Sequence, residues 1–351
     1  MTDCLKLTTY FGERLRCETG FASDALLDLY ARNAVATSVV LRGIAGFGPR
    51  HQLRSDQSLS GSEDLPVAIA AVDTEAKIAG LADQVVALTR RGLVTLERAH
   101  LVGTGTPEIP ATAKLTLYVD RHQRLAGEPA VRAVCNLLRA RGFSCAAAFL
   151  GVDGTSRGER RRARFFSRNV DVPVMVIAIG SGADVSEALD EIGQLVQEPL
   201  LTVERVQLCK RDGELFTRPP ALPAADDHGV PLWQKLMIYT AEDTLHDGEP
   251  IHRAIVRRLR EPQEGLGATV LRGVWGFHGD HEPHGDKLFQ LGRQVPVTTI
   301  VVDSPERIAA SFDVIDELTT RHGVVTSELV PALVSVDGNR RGGTTLARFN
   351  P

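Results

Sequence analysis

Lys6-Leu-Thr-Thr-Tyr10 returns as Lys114-Leu-Thr-Leu-Tyr118 and again as Lys235-Leu-Met-Ile-Tyr239. Working outward from each copy, three more landmarks follow in the same order. Val40-Leu-Arg-Gly-Ile-Ala-Gly-Phe-Gly48 is matched by Val270-Leu-Arg-Gly-Val-Trp-Gly-Phe-His278, with a worn version, Ala148-Phe-Leu-Gly-Val-Asp-Gly154, between them. A proline then opens an apolar run at Pro66, Pro173 and Pro296, and Thr95-Leu-Glu97, Thr202-Val-Glu204 and Thr326-Ser-Glu328 close the series. Lys6 to Pro66, Lys114 to Pro173 and Lys235 to Pro296 span 60, 59 and 61 positions, and each proline precedes its threonine by 29, 29 and 30. Four landmarks in register three times make a tandem repeat, which outranks any single motif in fixing the architecture.

Within one copy the periodicity changes in a fixed order. Residues 5–11 alternate and carry Thr and Tyr, as a strand does. Ser23 is placed to cap a helix through Leu26, Leu29 and Tyr30. Residues 37–42 form a second strand, and the run from Pro66 is apolar throughout, as in a central strand covered by helices. Proline is tolerated at its first position, where no ladder donor is needed. Thr74 opens a second helix with Ile78, Leu81, Val85 and Leu88 on one face, and residues 93–101 end the unit. The order βαββαβ is the split βαβ motif. The expected fold is therefore α+β: three tandem ferredoxin-like domains over 1–103, 112–209 and 232–334. Residues 104–111 and the proline-rich 210–231 are expected as linkers, and 335–351 as a flexible tail. Packing the three open sheet faces inward around a pseudo-threefold axis would make a pseudo-trimer within one monomeric chain.

The first and third copies resemble a PII-like family catalogued as domain of unknown function one hundred and ninety. The resemblance rests on Lys6-Leu-Thr-Thr-Tyr-Phe-Gly-Glu-Arg14, the Leu-Arg-Gly-x-x-Gly-Phe element, Ser62-Glu-Asp-Leu-Pro66 and Gly92-Leu-Val-Thr-Leu-Glu97. It implies a sensory or regulatory protein that binds small ligands in clefts between units. Such a protein signals to a membrane transporter or channel through the segment between strands two and three. Association with CrcB-type fluoride channels is a further implication. The glycine-rich joint of ATP-binding PII proteins is absent from Val72-Asp-Thr-Glu75 and Val302-Asp-Ser-Pro305; Ile179-Gly-Ser-Gly-Ala183 has the glycines without a basic residue.

Three constellations carry candidate chemistry. Arg42, Gly43, Gly46 and Gly48, echoed by Arg272, Gly273 and Gly276, read as a glycine turn whose N–H groups and guanidinium could hold a small anion; the alternative is a turn that needs glycine and nothing more. His278, His281 and His284 have the density of a divalent-metal site, as in a CutA-like metal binder. Arg157, Arg160, Arg161, Arg162 and Arg164 form a run that could hold phosphates of a nucleic acid or an anionic surface, or be simply a solvated loop. Net charge is −4, so nucleic acid is not the expected partner. The five cysteines form no CxxC pair, which reads as a reducing, cytoplasmic setting. No nucleophile motif, Walker loop or dinucleotide fingerprint is present, so a binder is expected rather than an enzyme. The sequence names neither the ligand nor any cofactor.

Overall fold

A computed structural model describes residues 2–56, 64–102, 109–125, 127–162, 172–196, 199–279, 281–285 and 295–343. Repeat 1 comprises β1 (Thr2–Gly12), α1 (Ala22–Arg32), β2 (Thr37–Phe47), β3 (Pro66–Thr74), α2 (Glu75–Leu88) and β4 (Arg91–Leu101). Repeat 2 comprises β5 (Thr112–Asp120), α3 (Ala130–Ala140), β6 (Cys145–Leu150), β7 (Asp153–Ser156), β8 (Glu159–Arg162), β9 (Pro173–Ser181), α4 (Gly182–Leu195), β10 (Leu200–Arg205), β11 (Gln207–Arg211) and β12 (Glu214–Leu215). Repeat 3 comprises β13 (Trp233–Ala241), α5 (Ile251–Arg260), β14 (Ala268–Arg272), β15 (Trp275–His278), β16 (Pro296–Asp303), α6 (Pro305–Leu318), β17 (Val324–Val330), β18 (Ala332–Asp337) and β19 (Arg340–Gly343).

Each repeat folds into an antiparallel sheet with the first strand in the middle. The orders are β4-β1-β3-β2, β10-β5-β9-β6 and β17-β13-β16-β14. Pro66, Pro173 and Pro296 each start the third strand, as the repeat predicts. Thr74 is the residue that precedes α2, whereas Phe21, not Ser23, stands at the cap of α1. Strand alternation splits the side chains between two cores. In β1, Leu5 and Leu7 pack under α1 and α2, while Cys4 joins a central core shared with Tyr118, Tyr239, Phe149 and Met237 of the other repeats.

Two sets of cross-repeat pairings close the molecule on itself. Second strands pair 1 to 3, 3 to 2 and 2 to 1: β2 with β14, β15 with β6, and β7 with β2. Strands beyond the fourth also reach across. The end of β4 pairs with β10, β11 pairs with β17, and β18 returns from repeat 3 to pair with β4. The tail expected to be flexible from 335 therefore includes a hairpin, β18–β19, joined to the first repeat; residues 344–351 lie outside the described residues. The expected spacer 210–231 likewise begins as the hairpin β11–β12.

The glycine elements are only partly turns: Gly48 opens one, its carbonyl accepting the His51 N–H at 2.8 Å, and Gly273 lies in the break between β14 and β15. β2 runs through Gly43 and Gly46 without stopping, with a bulge where it leaves β3 and joins β14. A Cβ on Gly46 would collide with the carbonyl of Ala268, and one on Gly276 with that of Ala146. Gly154 stands in the same relation to the carbonyl of Ser38. Glycine is needed because two backbones cross at contact distance. The middle repeat, worn elsewhere in this element, keeps the glycine that the crossing requires.

At the centre lies a closed ring of six charges. Lys6, Lys114 and Lys235 are register partners of Glu97, Glu204 and Glu328 in their own repeats. The within-repeat contacts are 3.0 Å, 3.1 Å and 2.9 Å. Each lysine also reaches the next repeat: Lys6 bonds Glu204, Lys114 bonds Glu328, and Lys235 meets Glu97 at 2.5 Å. All six are buried. Burial works against their charges, yet the surrounding lysines hold Glu97 well below and Glu328 below the usual carboxylate range. Lys114 is the one ammonium that burial pushes below its ordinary value. The Thr-x-Glu landmark thus supplies the three carboxylates of the ring, and in repeat 1 its threonine also contributes: Thr95 Oγ1 donates to Glu97 Oε1 at 3.0 Å.

Candidate ligand cleft between repeats 1 and 3

Where β2 crosses onto β14, and β18 returns to β4, the seam between repeats 1 and 3 opens into a cavity of about 450 Å³. Its floor is apolar, with Tyr10, Phe47, Leu93 and Ile300. Around this floor stand Arg14 and Arg16 after β1, Arg50 and Arg54 after β2, and Arg90 and Arg91 at the start of β4. Against these six arginines the lining sets two aspartates, Asp64 and Asp337, so its formal charge is +4.

Both aspartates hold guanidiniums in place. Asp337, at the tip of β18, accepts from Arg50 at 2.9 and 3.2 Å and from Arg91 Nε at 3.2 Å. These two arginines keep its carboxyl below the usual range. Asp64 meets Arg54 at 3.0 Å and accepts the backbone N–H of Arg14 at 2.6 Å. Arg90 pairs with Glu18 at 2.5 Å, and Arg16 lies 4.8 Å over the Phe21 ring. A guanidinium has five N–H donors in a fixed fork, so donors remain for an incoming oxyanion after a single carboxylate is bound. An apolar floor beneath several fixed cations is the common form of a small-molecule site.

Of the residues expected to bind a ligand, Gly46 and Gly48 line this cavity. Arg42, Gly43, Arg272, Gly273 and Gly276 are not in its lining. Arg42 is bound by Glu13 in a bidentate pair on the surface. Arg272 is held by the equivalent Glu242 at 2.6 Å and by Asp56 at 3.1 Å. These arginines secure the strand on which they stand. The residues missed, Arg50, Arg91 and Asp337, lie far apart in sequence, and no local pattern joins them. The run Arg90-Arg91-Gly92 directly ahead of a strand was the one available signal.

The arginine run of repeat 2 is divided. Arg160 is anchored to Asp24 at 2.6 Å, Asp28 at 2.5 Å and Asp153 at 2.8 Å, fastening the β7–β8 hairpin to α1. Arg161 pairs with Glu159 at 2.6 Å. Arg157 lines a second cavity, of about 360 Å³, between repeats 1 and 2, with Tyr118, Asp120 and Ser156. Arg164 and the side chain of Arg162 lie outside the described residues. Of the histidines, His278 is buried with its ring centroid 4.8 Å from that of His281, while the His284 side chain is outside the described residues.

A family model matches the chain three times, over residues 4–101, 112–208 and 233–332: DUF190, described as an uncharacterized ACR. The chain belongs to this family. The matches coincide with the repeats, so the DUF190 unit is present in triplicate. A UPF0166 protein of Aquifex aeolicus (strain VF5) is 34% identical over 100 residues, covering 28% of this chain and 90% of that protein. That relative is therefore about the length of one DUF190 unit. Among the described residues no helix is long and apolar enough to cross a membrane.

Proposed function

We propose that this chain is a PII-like sensory protein whose three ferredoxin-like units sit as a covalent pseudo-trimer. It binds a small anionic molecule in the cleft between repeats 1 and 3. The observation that carries the reading is the set of six arginines around an apolar floor at that seam. A compound with one or two phosphate or carboxylate groups on a flat apolar body matches this lining. Arg50, Gln52, Arg54 and Asp64 belong to the stretch between strands two and three, so occupancy would act directly on that segment. A partner protein touching it would then read the bound state. Among the described lining residues both carboxylates are engaged by arginine, which favours binding over general-base chemistry.

A thermal-shift panel of nucleotides, sugar phosphates, carboxylates, bicarbonate and fluoride tests the reading. At least one multiply charged anion is expected to raise the melting temperature, and the Arg50→Ala/Arg91→Ala double variant is expected to lose that shift. A panel without any response, or a response that survives the double substitution, would remove the cleft as the site. Light scattering is expected to return the mass of one chain.

A further inference from the structure

The seam between repeats 2 and 3 is built like the arginine cleft but carries imidazoles. His322 takes the place of Arg91: it precedes Gly323 as Arg91 precedes Gly92, ahead of fourth strands that pair identically with Tyr239 and Tyr10. His278 takes the place of Gly48, one step past the phenylalanine that faces the neighbouring repeat. Asp212, from the β11–β12 hairpin of repeat 2, is fixed by its own N–H to Gly323 O at 2.8 Å and accepts the Gly323 N–H at 3.3 Å.

Three imidazoles and a carboxylate neighbour one another here, with no three of their ligand atoms within 4.8 Å of one another as the side chains stand. The rings of His278 and His281 have centroids 4.8 Å apart, and those of His281 and His322 are 6.3 Å apart. His278 is 4% exposed, and its Nδ1 makes no hydrogen bond. That nitrogen stands 3.9 Å from Oδ1 of Asp212. Two ligand atoms around one tetrahedral zinc, each at about 2.0–2.1 Å, sit about 3.4 Å apart, so a slight rotation of either side chain would let this pair share an ion, and the His281 and His322 side chains would turn in to complete the set. A buried imidazole nitrogen left unpaired calls for a partner, and a cation shared with the carboxylate supplies one. Gly279, at φ +54°, leaves room for the Asp212 carboxylate, which a Cβ there would strike. His281 and His322 are exposed, which gives the ion a path from solvent.

We propose that His278, His281, His322 and Asp212 bind a divalent late first-row transition metal, bridging repeats 2 and 3. Imidazole with one carboxylate suits zinc, nickel or cobalt rather than magnesium or calcium. The ligand set differs from the one the histidine spacing implies, because two of its members come from the start of β17 and from the preceding repeat.

Calorimetric titration of chelator-treated full-length protein with zinc chloride tests this, with cobalt absorption reporting the geometry. One zinc per chain is expected, with a raised melting temperature. His281→Ala and His322→Ala, both at exposed positions, should each weaken binding by at least the roughly 10–100-fold that loss of an outer-shell partner brings. Absence of saturable zinc and cobalt binding would overturn the proposal. So would binding unchanged in the His281→Ala/His322→Ala double variant, or binding lost only when the part-exposed Cys17 is replaced.

Discussion

The seams 1/3 and 2/3 share their construction: a second strand crossing to its neighbour, a fourth strand with a glycine at its entry, and a hairpin from the adjacent repeat bringing an aspartate. One has become an arginine cleft and the other a histidine cluster. The position before the glycine holds Arg91 in the first and His322 in the second. The hairpin aspartate, Asp337 or Asp212, then pairs with guanidinium or lies beside imidazole. Three identical separate subunits could not do this, since one substitution would alter every seam at once. Fusion lets the shared frame carry different chemistry at each junction, and the largely uncharged lining of the 1/2 seam is the third variant.

The largest expected effect comes from breaking what the seams hold in common. Lys114→Met leaves the Glu204 and Glu328 carboxylates short of a partner, and removing one member of a buried ion network costs about 3–5 kcal/mol. Chemical denaturation should show that loss, with anion and metal binding weakened together. A cost below about 1 kcal/mol would mean that the ring does not hold the repeats.

Separating the seams comes next. Arg91→Ala should cost the anion about 1.5–3 kcal/mol, the worth of a hydrogen bond to a charged group, and leave zinc titration as it was. Coupled losses at both seams would show that the two sites are not independent.

A histidine outside both seams gives a pH effect of similar or smaller size. Burial, with Arg253 and Arg272 nearby, lowers the His252 pKa to about 4. The unfolded chain, near 6.5, binds the proton more readily, so this stability is complete above about pH 6.5 and is lost as pH falls toward 4. At pH 5 the deficit is about 2 kcal/mol relative to pH 7. Melting of His252→Phe should be flatter between these values; an equally steep profile would place the titration elsewhere.

The smallest effect sharpens the comparison. Arg42→Ala removes a half-exposed pair with Glu13; it should change stability by about 0–1 kcal/mol and anion affinity not at all. A marked loss of affinity would return Arg42 to the site.

What could be read from the sequence was what repeats locally. The interval from Lys6 to Pro66 and the alternation of Leu5, Leu7 and Tyr10 specify strands and their order, because strand faces follow a period of two. The lysine and glutamate landmarks were visible, but their meeting was not: Lys6 reaches Glu204 across 198 positions. The glycine elements were only half legible for a related reason. Gly46 resembles a turn residue until the carbonyl of Ala268, from another repeat, is placed against it. Arg50 and Arg91 acquire a site only when Asp337 comes back from the end of the third repeat, and nothing near any of the three announces the others.

That return of β18 has a consequence for synthesis. The edge of β4 is made in the first third of the chain, yet its partner is translated after nearly all of repeat 3. A nascent chain therefore carries an open strand edge for most of its time on the ribosome, and such edges invite pairing with other chains. A product ending before Ala332 would keep that edge permanently. Premature termination should thus yield a protein prone to aggregate through β4, a liability that release of the full-length chain removes.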